Sequence, residues 1–300
     1  MAQFVQQILN ALQVGSIYAL IAVGYTMVYG ILTMINFAHG DIFMVSTYIA
    51  FFFSAFLLAL GLGLPPAVVF GATAIVAMIL TALLAVVIER LAYKPLRSAP
   101  RVSAVITALA MGILLETLAL ALIGPEPRQI PPLFPNVTFN ISGVAVSTLQ
   151  IVIIVLSVLC MLALDLIVRR TMVGMAMRAI SWDKTTVPLM GVPVNTIISA
   201  TFALGAAIAA VGGTMYGMAY TLDPYMGIRI GWWAFISAVV GGIGNIRGAM
   251  IGAFILGFVE VFTPVILPST YRDFVAFSLL LVLLIFRPTG ILGRPQLKKV

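Results

Sequence analysis

Residues able to do chemistry are few in this sequence and lie far apart. His39 is the only histidine and Cys160 the only cysteine, so no Cys-His pair and no cluster of thiolate ligands can form, and no metal site of that kind is expected. Cys160 sits inside an apolar segment and reads as a small core residue. His39 stands two positions before Asp41 in Asn36-Phe37-Ala38-His39-Gly40-Asp41. Residues two apart on a helix do not face each other, so a catalytic His39-Asp41 pair would need unwound backbone and a third partner. A phosphate-binding loop ending in Gly-Lys is also missing, because none of Lys94, Lys184, Lys298 and Lys299 follows a glycine. No catalytic residue and no bound cofactor are expected; if ATP and magnesium drive the protein, other subunits bind them.

The informative groups are polar residues in apolar surroundings. Asn36, His39 and Asp41 follow a long uncharged run, and Glu116 lies in the middle to outer half of another. A charged group at a bilayer centre costs roughly 2.5 to 3.5 kcal/mol even on lenient scales, so such residues are expected to face a protein interior or a water-filled path. Two readings of Asn36 to Asp41 stay open: a helix break on a translocation path, or an interfacial turn at the cytoplasmic surface. Glu116 either meets the ammonium group of a zwitterionic substrate or accepts hydrogen bonds from a neighbouring helix, and Glu260 poses the same choice. Glu89 and Asp165 fall at helix ends, near Arg90 and Arg169, where they can snorkel or pair.

The elements that must hold these groups are membrane helices. Of 300 residues 62% are hydrophobic and 8% charged, against roughly 25% charged in a soluble domain. The apolar blocks are about 20 residues long, the length a helix needs to span the hydrocarbon core. Spans are expected at 4–29, 42–60, 67–88, 102–123, 149–168 and 196–220. Beyond Asp223 the apolar stretches shorten, to 230–243, 249–267 and 274–286, and are interrupted by Gly241, Gly242, Gly244, Gly248, Pro264 and Pro268. Short or broken segments survive at membrane depth where they are buried in protein or line a cavity, which points to a transport path. The expected fold is all-α: one polytopic membrane domain over residues 1–300 with eight or nine transmembrane helices, some short or broken.

Charge placement gives the orientation. Arg90, Lys94, Arg97 and Arg101 form one basic cluster, Arg169, Arg170, Arg178 and Lys184 a second, and Arg287, Arg294, Lys298 and Lys299 a third. Loops rich in Lys and Arg stay in the cytoplasm, and this placement accounts for the net charge of +7 without nucleic acid. The proline-rich loop 124–147 carries one basic residue, Arg128, and is expected outside. No Lys or Arg precedes Arg90, so the first span lacks the basic flank of a cleaved signal peptide and is expected to be retained. Loop 169–195 mixes Met172, Met175, Met177, Trp182 and Leu189 with basic residues, as a short helix docking into a partner's groove would; a helix resting on lipid headgroups is the alternative. Small residues four apart, Gly205-Ala209-Gly213-Gly217 and Gly244-Gly248-Gly252, allow close helix approach, more often within one chain than at a subunit seam.

One family resembles this chain over nearly its whole length. The run Gly15-Ser16-Ile17-Tyr18-Ala19-Leu20, then Gly24-Tyr25-Thr26-Met27-Val28-Tyr29-Gly30, then Ile35-Asn36-Phe37-Ala38-His39-Gly40, is similar to the signature of the membrane subunits of branched-chain amino-acid ABC importers of the high-affinity Liv type. Gly174, Arg178, Ala179, Asp183, Leu189, Gly191 and Val192 fall where that family has its coupling element, and Gly241 to Gly248, with Arg247, resembles its glycine-rich segment. Ser46-Thr47 and Val187-Pro188 depart from the family pattern. The resemblance implies a prokaryotic inner-membrane complex with a second, related permease, two cytoplasmic ATP-binding subunits and an external substrate-binding protein, importing by alternating access. Urea, short amides or other amino acids are alternative cargoes, and a stand-alone ion-coupled carrier is the alternative of another class.

Overall fold

The computed structural model describes residues 1–97 and 99–293; the side chain of Arg101 and the C-terminal Arg294, Lys298 and Lys299 lie outside the described residues. Its helices are α1 (Ala2–Leu32), α2 (His39–Ala59), α3 (Pro66–Ile88), α4 (Arg101–Ile123), α5 (Thr148–Arg170), α6 (Met172–Trp182), α7 (Val194–Ala219), α8 (Met226–Gly241), α9 (Ile246–Ile266) and α10 (Arg272–Phe286). Among the described residues eight helical stretches are long and apolar enough to cross a membrane; α8, with 16 residues, is a shorter apolar helix, and α6 is amphipathic. The expected spans are all found, most within two or three residues of their expected ends. The largest shift is at the start of α8, which begins at Met226 rather than at 230, where Gly227, Ile228 and Arg229 continue the helix.

The loop between α4 and α5 adds a feature the sequence reading left as irregular chain. Thr138–Ile141 (β1) and Val144–Ser147 (β2) pair antiparallel, with Ile141 opposite Val144. Ser142 and Gly143 both have positive φ, 54° and 84°, as a two-residue hairpin turn matching the strand twist requires. The Gln6 side chain accepts a hydrogen bond from the Ala145 N–H at 2.9 Å, tying this hairpin to the start of α1.

Helix α1 is the hub of the bundle. Its most apolar window is 83% buried, against 6% in the window containing α10, and it packs on α5, α7, α8 and α9. Lipid offers no hydrophobic gain for helix association, so close van der Waals contact must supply it, and small residues permit that contact. The glycine runs do this within the chain. A Cβ at Gly205 would stand 3.2 Å from the Gly24 Cα, one at Gly248 3.0 Å from the Gly241 carbonyl carbon, and one at Gly252 2.9 Å from the Gly241 Cα.

Two helix ends differ from the simple reading. After Ile88 the backbone widens into a π-helical turn, Glu89–Tyr93, followed by a 3-10 turn, Lys94–Leu96. This turn buries Glu89 completely and leaves Arg90 exposed. Glu89 therefore pairs with Arg97 rather than with its sequence neighbour Arg90, and accepts a hydrogen bond from the Ser199 hydroxyl at 2.6 Å. Asp165 pairs with Arg169 as expected, at 2.8 Å, and also with Arg247 at 3.0 Å, which ties the end of α5 to the start of α9.

Candidate functional site

The polar stretch after α1 is a buried junction rather than a surface turn. Helix α1 closes at Thr33, whose left-handed conformation (φ 56°) ends the hydrogen-bond ladder. The chain then folds back, and α2 begins at His39 beside Gly24 and Tyr25. Gly24 precedes Leu32 by eight residues, so α2 starts about 12 Å back along α1 at 1.5 Å per residue. Asn36, His39 and Asp41 are all at most 5% exposed.

Asn36 accepts a hydrogen bond from the Tyr93 hydroxyl at 2.6 Å, so the π-helical turn that buries Glu89 also delivers this partner. The His39 ring meets Tyr25 edge-on at 4.9 Å and hydrogen-bonds the Ile21 carbonyl. It occupies the space a side chain at residue 24 would fill, which is why glycine stands there. Asp41 points the other way. Its carboxylate lies against Gly112 of α4 and Gly227 of α8 and meets the Glu116 carboxyl, and Glu116 also accepts a hydrogen bond from the Ile228 N–H in the first turn of α8. The Glu116 carboxyl thus caps α8, which has no side-chain cap of its own, and the Asp41 carboxyl lies beside the same turn. Negative charge is favoured there by the helix dipole and the free N–H groups.

The structure therefore gathers all four of the residues singled out from sequence, with Asp41 and Glu116 in contact and His39 turned to α1. Asn36 Nδ2, His39 Nε2, Asp41 Oδ1 and Glu116 Oε1 are buried without a hydrogen-bond partner among the described residues. Each such atom costs roughly 1 to 3 kcal/mol, and their concentration at a helix break is the kind of local expense that functional sites carry. Sequence reasoning did not find Tyr25, Tyr93 and Gly227. Tyr25 lies in a stretch used for the resemblance, but nothing in spacing tells that Tyr93 meets Asn36 or that Gly227 meets Asp41, partners distant in sequence.

The second candidate region is the loop 169–195. Thr171 caps α6 by accepting from the Gly174 N–H at 3.1 Å. Gly174 is pressed against the carbonyls of Ile167 and Val168, so α6 turns sharply off α5, and Arg178 donates to the Val168 carbonyl across that corner. Ala179 is half-buried on the same helix. Asp183 accepts from the backbone and hydroxyl of Thr185 (2.9 and 2.7 Å) and of Thr186 (3.2 and 2.8 Å). These donors, Thr185 foremost, hold its carboxyl well below the usual carboxylate range. Val187–Met190 forms a 3-10 turn that Gly191 ends with φ 78°. The six residues fall into two groups: Gly174, Arg178 and Ala179 set the corner, whereas Asp183, Leu189 and Gly191 shape the turn after it. Met172, Trp182, Leu189 and Met190 stay largely exposed, at 76 to 85%.

A bundle of apolar helices with a short half-helix, a buried polar break and an amphipathic helix projecting from one end is a multi-pass membrane permease of the ABC-transporter kind. A solved structure of an inward-facing metal-chelate type ABC transporter shares the fold, at TM-score 0.51 and 16% identity, covering 94% of this chain and 85% of that one. Residues 7–284 match the family described as branched-chain amino acid transport system / permease component, and the chain belongs to that family. It is 44% identical to the high-affinity branched-chain amino acid transport system permease protein BraD of Pseudomonas aeruginosa, over 99% of this chain and 98% of that one. Identity to LivH of Escherichia coli is 41%, over 99% and 98% of the two chains, and to a LivH protein of Methanocaldococcus jannaschii 27%, over 95% and 91%. As a permease of an ABC transporter, the chain works with partner subunits and is not an enzyme by itself.

Proposed function

We propose that this chain is the membrane-spanning subunit of an inner-membrane importer for branched-chain or closely related neutral amino acids. The observation that carries this reading is the near-complete, 44% identical match to a permease of that class. Its working partners are a second, related permease, two cytoplasmic subunits that bind and hydrolyse ATP with magnesium, and an external protein that captures substrate. The whole chain acts as one domain in lipid. The basic clusters support a cytoplasmic position for α6 and the C-terminus, with the hairpin loop 124–147 outside.

The geometry supports a division of labour. On the cytoplasmic side, the corner built by Gly174, Arg178 and Ala179 and the turn built by Asp183, Leu189 and Gly191 present Met172, Trp182, Leu189 and Met190 to an ATP-binding subunit. Because Arg178 and Gly174 fix α6 to the end of α5, motion imposed on α6 passes to α5 and, through Asp165–Arg247, to α9. In the bundle, Asn36, His39, Asp41 and Glu116 line the substrate path at the break between α1 and α2. Packed helices switch between discrete arrangements rather than deforming continuously, and the glycine seams between α1, α2, α7 and α8 allow such sliding. Substrate selectivity comes chiefly from the external receptor, so the path needs only weak, passable contacts.

The test is reconstitution of the chain with its partner subunits in liposomes. Leucine uptake that requires ATP and the receptor, together with loss of coupling between ATP hydrolysis and uptake in Arg178→Glu, is the expected result. Substrate-dependent proton flux through the chain alone would instead establish a carrier and end this reading.

A further inference from the structure

The loop after α6 reaches into the bundle through one long side chain. Asp183 gathers the N–H groups and hydroxyls of Thr185 and Thr186 onto its carboxylate, which folds the chain into a compact turn around Lys184. From that turn Lys184 Nζ donates to the Leu32 carbonyl of α1 at 2.9 Å. Leu32 is the last residue of α1, directly before the left-handed Thr33 where the helix stops. The last carbonyls of a helix have no partner within it, and the helix dipole favours a cation beside them. The Leu32 carbonyl also accepts from the Thr33 hydroxyl at 2.6 Å, and a carbonyl has two lone pairs to offer.

The far end of the same loop reaches the break by a second route. Asn195, in the first turn of α7, accepts from Arg97 at 2.6 Å. Arg97 pairs with the buried Glu89, which accepts from Ser199 of α7 at 2.6 Å. Glu89 opens the π-helical turn that ends at Tyr93, and the Tyr93 hydroxyl donates to Asn36 at 2.6 Å. Residues 33–38, which join α1 to α2, are thus gripped at Leu32 and at Asn36 by chains of contact that both start in the loop 169–195.

We propose that Lys184 is a positioning residue that fixes the end of α1, and with it the polar break, to the coupling loop, so that displacement of the loop by the ATP-binding subunits moves the break directly. This inference rests on the importer proposed above. Its route is a single hydrogen bond long and stands beside the longer one through α5 and α9.

The complex, reconstituted in liposomes with its receptor, is compared with Lys184→Met, which keeps the apolar stem but removes the charged donor, and Lys184→Arg, which keeps a charged donor. Leucine imported per ATP hydrolysed should fall at least about fivefold in Lys184→Met, the low end of couplings between sites, and Lys184→Arg should restore most of it. A reporter cysteine at the half-buried Met34, in a Cys160→Ala background, reads the break itself. Its labelling rate by an uncharged, water-soluble maleimide should differ between nucleotide-free and vanadate-trapped complexes, and Lys184→Met should lose most of that difference. Unchanged coupling in Lys184→Met overturns the inference. So does an arginine variant as uncoupled as the methionine one, or a Met34→Cys rate blind to nucleotide. Loss of assembly or of ATP hydrolysis in Lys184→Met overturns it too, since the contact would then serve folding or docking instead. A parent complex that imports no leucine refutes the importer, whereas a parent that imports it with Lys184→Met equally coupled refutes only the role of Lys184.

Discussion

Gly40 is where the crossing of α2 over α8 is most sensitive to a single methyl group. A Cβ there would meet the Gly227 carbonyl oxygen, with the Gly231 Cα at 2.8 Å and the Gly227 carbonyl carbon at 3.2 Å. All three are backbone, so no side chain can rotate away and α8 itself must shift. Overpacking of this kind costs roughly 1 to 3 kcal/mol, while replacing a helical glycine by alanine returns about 0.5 to 1 kcal/mol of helix propensity. The upper half of the overpacking range applies when backbone faces backbone, giving a net loss of about 1 to 2.5 kcal/mol for Gly40→Ala. Gly71 in α3 is the control, because a Cβ there meets nothing within 4 Å; Gly71→Ala keeps only the gain. Thermal unfolding of the purified complex should move in opposite directions for the two variants. Gly40→Ala should also lose uptake, since α8 carries the N–H that holds Glu116 and the glycine against which Asp41 rests. A Gly40→Ala complex as stable and active as Gly71→Ala would refute the claim that this contact sets the position of α8.

Asn36→Leu and His39→Leu should impair uptake more than assembly, because their polar atoms are buried at the break; normal uptake by both would remove the stretch from the path. Glu116→Gln keeps an acceptor for the Ile228 N–H and should be mild, whereas Glu116→Leu should be severe, as measured by uptake normalised to assembled complex. A severe defect in Glu116→Gln with intact assembly would show that its charge, and not capping, is used. Asp183 holds a depressed carboxyl, so its contribution to the loop is present above the unfolded value near ~3.9 and is lost only as pH falls through the lower folded value. Amide exchange at Thr185 and Thr186, corrected for intrinsic rates, should therefore be flat between about pH 5 and 8 and rise in Asp183→Ala.

Much of this protein is written in local pattern. The length and polarity of its apolar blocks, set by the thickness of a bilayer, fix nearly to their ends the eight described helices long enough to cross a membrane and the shorter apolar α8. The N-terminal signature identifies the family, and isolated polar residues in apolar runs single out Asn36, His39, Asp41 and Glu116 as candidates, because lipid penalises such groups wherever they fall. The partners of these residues were not legible. That Glu89 chooses Arg97 over the adjacent Arg90 depends on a π-helical turn that no periodicity announces. That Asp41 meets Glu116 at the foot of α8, and that Glu260 accepts from the Tyr18 hydroxyl, depends on how helices distant in sequence cross. Crossings in lipid are decided by glycine contacts a few ångströms wide, summed over the whole bundle, and only the assembled tertiary structure performs that sum.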